Sequence, residues 1–186
     1  MSAALFIIDV QNDFTEGGAL GVDGGAAVAR GITEYLADHD YDVVFASRDW
    51  HDPVGDNGGH FSMTPDYVDT WPAHCVAGTP GAEYHPALAT RFIDVHVRKG
   101  QGIPAYSIFE GTTDEGETVT QALDRLGVTD VDVVGIATDH CVLASALDAV
   151  GAGRRVRVLT DLVAGVGPES SRAALDRMQA AGVSLV

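Results

Sequence analysis

The chain has 186 residues, enough for one domain with a sizeable core, and 46% of them are hydrophobic. Its formal net charge of −16 makes nucleic acids and anionic membranes poor partners. No apolar run reaches transmembrane length, and the first residues lack the basic segment of a secretion signal. We therefore expect a single cytoplasmic domain over 1–186 and leave homo-oligomerisation open.

Apolar strands alternate with helical segments along the chain. In chain order, the pattern predicts a strand at 3–10, a helix at 25–37, strands at 41–47 and 93–98, a helix at 118–126, a strand at 131–136, a helix at 139–150, a strand at 156–159, a helix at 168–181 and a strand at 183–186. The segment 48–88, rich in Gly, Pro, Asp and His, has no regular period, and a loop of that length is often functional. Continuous apolar strands between helices predict a doubly wound α/β domain, with a mainly parallel six-stranded sheet and helices on both faces.

Three residues that can do chemistry lie at the ends of predicted strands. Asp9 ends the first strand, Lys99 follows the third and Cys141 follows the fourth. Because ligands bind beyond the carboxyl ends of strands in such sheets, we expect these residues to converge. Lys99 is the single lysine of the chain, and it follows an apolar strand, where a surface role is least expected. The alternatives are a lysine that reaches water and an aspartate that only caps a loop.

The turn that carries Cys141 favours a reactive thiol. Asp139 can cap the following helix, which would place Cys141 in the first turn of that helix. A helix N-terminus lowers the pKa of a thiol, and its N–H groups can hold an oxyanion. The Asp9 carboxylate can then take the thiol proton, and the Lys99 ammonium can stabilise the thiolate. The alternative is a buried core cysteine, which is our interpretation of Cys75.

The long irregular segment contains a candidate metal site. Asp49 and His51 are two residues apart, on the same side of an extended segment, and His60 and His74 follow in the same loop. Carboxylate and imidazole together suit zinc, manganese or iron(II). The alternative is a set of loop histidines that only make hydrogen bonds. We assign no function to three other histidines, His39, His85 and His96.

Several segments of the chain resemble a known enzyme family. The segments 8–14, 98–100 and 135–141 resemble the signature segments of the isochorismatase-like cysteine hydrolases. More narrowly, the chain resembles the nicotinamidases and pyrazinamidases of that family in the segments 48–51, 60–62, 71–82 and 105–111. The resemblance implies a metal-dependent amidohydrolase that converts nicotinamide and water to nicotinate and ammonia through a cysteine thioester. It also implies activity on pyrazinamide and a role in NAD salvage.

The same resemblance assigns roles to individual residues. It implies a catalytic triad of Asp9, Lys99 and Cys141, and an oxyanion hole formed by the N–H groups of Ala137 and Cys141 beside a cis Ile136–Ala137 bond. The implied substrate-binding residues are Phe14, Trp71, Tyr106, Ile136 and His140. The implied ligands of one divalent transition metal are Asp49, His51 and His74, with His60 as a further ligand that only part of the family has. Zinc is the first choice of metal, with manganese and iron(II) as alternatives.

Two rival functions and one question about the source stay open at this point. One rival is a metal-free cysteine hydrolase that acts on a carbamoyl or ureido compound, which the set of metal ligands argues against. The other is a metal-binding or redox-sensing module without turnover, in which Asp9 and Lys99 would have no purpose beside Cys141. The acidic, lysine-poor composition predicts a halophilic protein, and a genomic bias for arginine over lysine is the alternative.

Overall fold

A central seven-stranded sheet carries the fold in the computed structural model, which describes residues 2–186. The strands are β1 (Ser2–Ile8), β2 (Val43–Asp49), β3 (Val95–Lys99), β4 (Thr112–Thr113), β5 (Val128–Ile136), β6 (Arg155–Ala164) and β7 (Ser184–Leu185). The helices are α1 (Gly25–Asp38), α2 (Val119–Arg125), α3 (Leu143–Gly151) and α4 (Pro168–Ala180). The strand order is β4-β3-β2-β1-β5-β6-β7, and within residues 2–186 only β3 and β4 pair antiparallel.

Helices cover both faces of the sheet, as the sequence predicts. Alternate side chains of β1 enter two separate cores: Phe6 and Ile8 pack with α2, α3 and α4, and Leu5 and Ile7 pack with α1. All four side chains are fully buried because β1 lies in the middle of the sheet. Burial on both faces explains why the strands are continuous apolar runs. None of the helices among residues 2–186 is long and apolar enough to cross a membrane.

The predicted number of strands is wrong by one. The additional strand is β4, which pairs antiparallel with Val97 and Arg98 at one edge of the sheet. It comprises only two residues, too few to show a period in the sequence. Three predicted strand ends are also too early. Asp49 and Lys99 are the last residues of β2 and β3 and pair with each other across these strands, and β6 continues to Ala164.

The connections around β1 place a ligand-binding crevice at the centre of the sheet. The chain passes from β1 through α1 to β2 on one side, and from β5 through α3 to β6 on the other side. In open α/β sheets, ligands bind where neighbouring strands connect in opposite directions, outside their carboxyl ends. Asp9 directly follows β1 and Ala137 directly follows β5, so both residues border this crevice.

Candidate active site

The three predicted catalytic residues meet at the carboxyl edge of the sheet. The Lys99 ammonium Nζ lies 2.9 Å from Oδ2 of Asp9 and 3.7 Å from Sγ of Cys141. Asp9 and Lys99 are fully buried and Cys141 is 7% exposed, so the group is shielded from bulk water. The interpretation of Lys99 as a strand-end lysine that reaches water is therefore wrong.

The position of Asp9 depends on a sharp departure from β1. Its φ of +47° lies in the left-handed region, which aspartate tolerates better than most residues. Ser47 on the neighbouring strand holds the carboxylate, because its hydroxyl donates to Oδ1 at 2.7 Å and accepts from the Asp9 N–H at 3.3 Å. Oδ2 is thereby left to face Lys99.

Burial determines the protonation of the thiol. It raises the pKa of Cys141 well above the ordinary value, and the carboxylates of Asp9 and Asp49 add to that increase against the opposing charge of Lys99. The expectation that a helix N-terminus would lower this pKa is therefore wrong. Burial also raises the pKa of Asp9, an effect that Lys99 partly opposes. A neutral thiol beside a carboxylate of raised basicity suits transfer of the proton during nucleophilic attack.

The nucleophile turn, residues Thr138–Val142, is a single π turn that runs directly into α3. It follows a cis Ile136–Ala137 peptide bond, as the family resemblance implies. The N–H of Val142 donates to the carbonyl of Ala137 at 3.1 Å and closes the turn. The predicted capping of this helix by Asp139 is wrong, because no side chain caps the N-terminus of the turn.

Three histidines of the long loop form a buried cluster, the histidine cluster, that consists of His51, His60 and His74. One ring nitrogen from each lies within 4.8 Å of the others, a separation that suits binding to a common ion. Oδ2 of Asp49 lies 3.6 Å from Nε2 of His51 and 3.7 Å from Nε2 of His74. All four predicted ligands are therefore together, including His60, which lies nine positions beyond His51 in the sequence.

The histidine rings are oriented as metal ligands require. Nδ1 of His51 contacts the Gly100 carbonyl at 2.7 Å, and Nδ1 of His74 contacts the Pro72 carbonyl at 2.8 Å. A proton on each Nδ1 leaves the Nε2 lone pair free for a metal. Nε2 of His51 and Nδ1 of His60 are buried without a hydrogen-bond partner, a costly arrangement that a bound cation would relieve. Burial, followed by the neighbouring His51 and His74, lowers the pKa of His60 to about 4, so its ring is neutral at pH 7, as a ligand must be.

Asp49 connects the histidine cluster to the catalytic group. Its Oδ1 accepts a hydrogen bond from Lys99, while Oδ2 faces the histidines. Burial favours the neutral acid, but the charge of Lys99, followed by the nearby His51 and His74 rings, holds the pKa of Asp49 well below its ordinary value. Burial likewise disfavours the charged form of Lys99, but the carboxylates of Asp49 and Asp9 raise its pKa well above the ordinary value. One ammonium thus contacts both carboxylates, Asp9 and Asp49.

Gln11 is a supporting residue to which the sequence analysis assigned no role. Its amide accepts from the Asp49 N–H and donates to the Asp49 carbonyl, both at 2.9 Å, so it holds both sides of the Asp49 backbone. It also donates to the carbonyl of Ala82 at 2.9 Å. Gln11 lies within the segment 8–14 that resembles the family signature, which is the only signal that could have found it.

An apolar cavity of about 330 Å³ opens onto Cys141 and onto two members of the histidine cluster, His60 and His74. The predicted substrate-binding residues all line it, namely Phe14, Trp71, Tyr106, Ile136 and His140. The Trp71 ring lies edge-on to His140 with centroids 5.3 Å apart, and its Nε1–H donates to the Tyr106 hydroxyl at 3.1 Å. Ala137 and Cys141, the two residues implied for the oxyanion hole, also line the cavity. These dimensions and aromatic walls suit a flat aromatic amide.

Several cavity residues are absent from the sequence predictions. They are Ala19, Leu20, Gly21, Val22, Tyr67, Ala105 and Val166. Most are small or aliphatic residues in loops, which carry no chemical signal in a sequence. Tyr67 and Val166 are about 60% exposed and belong to the mouth of the cavity.

The residues to which we assigned no function contact other parts of the protein. The His39 ring stacks on Tyr35, and Nδ1 of His96 lies 3.0 Å from the Tyr84 hydroxyl. Cys75 is a free, fully buried thiol, in agreement with its interpretation as a core cysteine.

Comparison with known proteins identifies the family. A family model described as the isochorismatase domain matches residues 3–186. The chain is 54% identical over 184 residues to the nicotinamidase/pyrazinamidase of Mycobacterium tuberculosis, with 98% of this chain and 97% of that protein covered. It is similar to the solved pyrazinamidase of Pyrococcus horikoshii in complex with zinc (TM-score 0.84, 36% identity, 100% and 99% of the chains covered). It is also similar to a solved L. infantum protein in complex with nicotinate (TM-score 0.87, 34% identity, 100% and 92% covered). The chain belongs to the isochorismatase family.

Proposed function

We propose that this protein is a nicotinamidase, which hydrolyses nicotinamide to nicotinate and ammonia and also accepts pyrazinamide. The observation that carries the proposal is the contact of Lys99 with both Asp9 and Cys141, beside an apolar cavity that also borders the histidine cluster. The 54% identical relative is named as a nicotinamidase/pyrazinamidase, and the L. infantum relative binds nicotinate. We further propose a cytoplasmic role in NAD salvage.

The first half of the reaction forms a thioester. The Asp9 carboxylate takes the proton of the Cys141 thiol as the sulfur attacks the amide carbonyl, and a C–S bond forms. The carbonyl electron pair moves to the oxygen, which the N–H groups of Ala137 and Cys141 stabilise. When this intermediate collapses, the C–N bond breaks and Asp9 returns the proton to the leaving nitrogen, which departs as ammonia.

The second half regenerates the enzyme. Asp9 takes a proton from water, and the resulting hydroxide attacks the thioester carbonyl. The C–S bond then breaks, the sulfur takes the proton back from Asp9, and the product leaves as nicotinic acid, which releases its proton to water to give nicotinate. Lys99 remains protonated throughout, stabilises the thiolate and holds the Asp9 carboxylate in place. One carboxylate thus serves as acid and base in both halves.

The metal site completes the proposal. We assign Asp49, His51, His60 and His74 as ligands of one divalent transition metal, with zinc as the first choice because three imidazoles and a carboxylate suit it. When bound, such an ion supplies a Lewis acid that can fix the ring nitrogen of the pyridine, directly or through water. The relative from Pyrococcus horikoshii was solved with zinc.

An ammonia-release assay tests the proposed function. We expect the purified, metal-loaded protein to release ammonia from nicotinamide and pyrazinamide with a kcat of roughly 1 s⁻¹ or more, typical of enzymes on their own substrates. An N-carbamoyl amino acid serves as the comparison substrate. Turnover of that compound without turnover of nicotinamide would support the rival ureido or carbamoyl hydrolase. Failure to release ammonia from any of them would support a binding module without turnover.

We also propose that the protein is adapted to high salt. An ion pair such as that between Arg157 and Asp132 adds no net charge. The net charge of −16 therefore comes from carboxylates in excess of the positive side chains, and these carboxylates repel one another. Raising salt from ~0.1 M to ~1 M shortens the Debye length from ~10 Å to ~3 Å and screens most of this repulsion. If screening contributes about 2 kcal/mol, the melting temperature in molar KCl should rise by roughly 4–8 °C.

Thermal melts and activity measured across KCl concentrations check this prediction. A melting temperature that stays flat or falls would favour the genomic bias for arginine and leave the proposed amidase activity untouched.

A further inference from the structure

The carboxylate of Asp139 joins the nucleophile turn to a different helix. Its side chain is 2% exposed, and Oδ1 accepts from the N–H of Val166 at 3.0 Å. Oδ2 accepts from the N–H of Gly167 at 3.3 Å and from the hydroxyl of Ser170 at 2.5 Å. These residues immediately precede and begin α4. Asp139 therefore binds the segment that leads into α4 and places its negative charge beside the N-terminus of that helix, where such a charge is favourable.

Both sides of this connection belong to the substrate cavity. Val166, held by Asp139 through its N–H, lines the mouth of the cavity. His140 directly follows Asp139, and its Nδ1 lies 3.3 Å from Oδ1 of the same carboxylate. The His140 ring lines the cavity beside Trp71. One buried carboxylate thus contacts two residues that line the cavity, and it does so two positions before Cys141.

The chain packs closely where Gly165 passes between α4 and the nucleophile turn. A Cβ at Gly165 would lie 1.9 Å from the hydroxyl oxygen of Ser171 and 3.2 Å from Cβ of Thr138, so a larger residue would require Ser171 to rotate and Thr138 to shift. Although burial favours the neutral acid, the contacts with His140, Ser170 and the Val166 N–H hold the pKa of Asp139 below its ordinary value. The carboxylate is therefore ionised at neutral pH and accepts charge-assisted hydrogen bonds.

We propose that Asp139 is a positioning residue that sets the distance between the Val166 wall and the His140 wall of the cavity. Through those walls it determines how tightly the pyridine ring is held in front of Cys141. This inference rests on the proposed nicotinamide hydrolysis. It predicts that loss of the carboxylate weakens binding of both substrate and product, because misplaced walls affect each of them, and lowers kcat less than it raises KM.

Substitutions at position 139 test the proposal. For Asp139→Ala we expect the KM for nicotinamide and the Kd for nicotinate, measured by calorimetry, to rise on the order of tenfold or more. Asp139→Asn retains an acceptor for the Val166 N–H but loses the charge, so we expect an intermediate KM. The matched control is Thr118→Ala, because Thr118 caps α2 through the N–H of Gln121 and lies outside the cavity lining. That variant should lose stability without a change in KM or Kd.

The outcomes separate a positioning role from a structural one. If Asp139→Ala melts earlier but keeps the KM and Kd of the wild type, as expected for Thr118→Ala, the proposal is overturned. If Asp139→Ala does not fold, Asp139→Asn and Ser170→Ala decide the question, since Ser170→Ala removes only one of the hydrogen bonds to the carboxylate. An unchanged Kd for nicotinate in both would also overturn it. A wild-type protein that binds nicotinate but does not hydrolyse nicotinamide would contradict the proposed function alone, because the comparison of Kd values remains valid.

Discussion

Replacing Cys141 with alanine is expected to abolish nicotinamide hydrolysis and leave the fold intact. Cys141 is the thiol that Lys99 contacts at 3.7 Å, and it lies on the wall of the cavity. Without the sulfur no thioester can form, so kcat should fall by about 10³-fold or more, the range seen when a covalent nucleophile is removed. Alanine is smaller than cysteine and is a good helix former, so the nucleophile turn and the α3 helix that follows it should persist. The measurement is ammonia release, with circular dichroism and a thermal melt to verify folding.

Cys75→Ala is the matched control for this variant. Both cysteines are free and buried, but the Cys75 thiol lies 4.0 Å from the carbonyl of Gly81 and Cys75 does not line the cavity. We expect this substitution to cost about 1 kcal/mol of stability and to leave kcat within a few-fold of the wild type. Near-normal turnover by Cys141→Ala, or equal losses in both variants, would remove Cys141 from the mechanism.

One transition-metal ion per chain is expected in the purified protein, and its loss should abolish most of the activity. Elemental analysis gives the content, and competition with a chromophoric chelator gives the affinity. For His51→Ala and His74→Ala we expect metal affinity to fall at least about 100-fold, because each change removes one ligand from a small set. His85→Ala is the control, since that ring lies outside the histidine cluster. Full activity after thorough chelation, with no metal bound, would contradict the assignment.

His60→Ala decides whether the site has four protein ligands. His60 is 2% exposed and its ring centroid lies 4.8 Å from that of His51 and 5.2 Å from that of His74. We therefore expect this variant to lose metal affinity as the other two do. If its affinity matches that of His85→Ala, the ligand set reduces to Asp49, His51 and His74, and His60 belongs to the substrate cavity alone.

Much of the fold and the site could be predicted because the relevant signals are local. Continuous apolar runs indicate parallel strands buried on both faces, and the carboxyl ends of such strands meet at one edge. The three catalytic candidates therefore converge. Lys99 ends β3, Asp9 directly follows β1, and Cys141 lies in the turn after β5. Their chemical types at those places, together with a resemblance that spans the chain, were enough to predict an amidohydrolase.

Other features lie outside what local patterns can indicate. The strand β4 has two residues and depends on its pairing with β3. The hydrogen-bond partners of Asp139 lie just before and within the start of α4, 27 to 31 positions later in the chain. A local pattern cannot indicate such distant partners, and it predicted instead that Asp139 caps the helix that follows it. Gln11 and Ser47 support the site through hydrogen bonds to Asp49 and Asp9 that only the neighbouring strands bring within reach.

The sequence alone determined which groups are available: one thiol after a strand, one lysine, a carboxylate at a strand end and a loop with several histidines. Only the tertiary structure decided the ionisation of the thiol and the course of the loop that carries the histidines. A helix N-terminus by itself would lower the pKa of Cys141, but burial beside two carboxylates raises it, because the loss of water destabilises the thiolate more than one ammonium stabilises it. The position of His60 beside His51 and His74 also depends on the tertiary structure. The path of an irregular loop is determined by its packing against the rest of the molecule, and residue spacing does not encode that path.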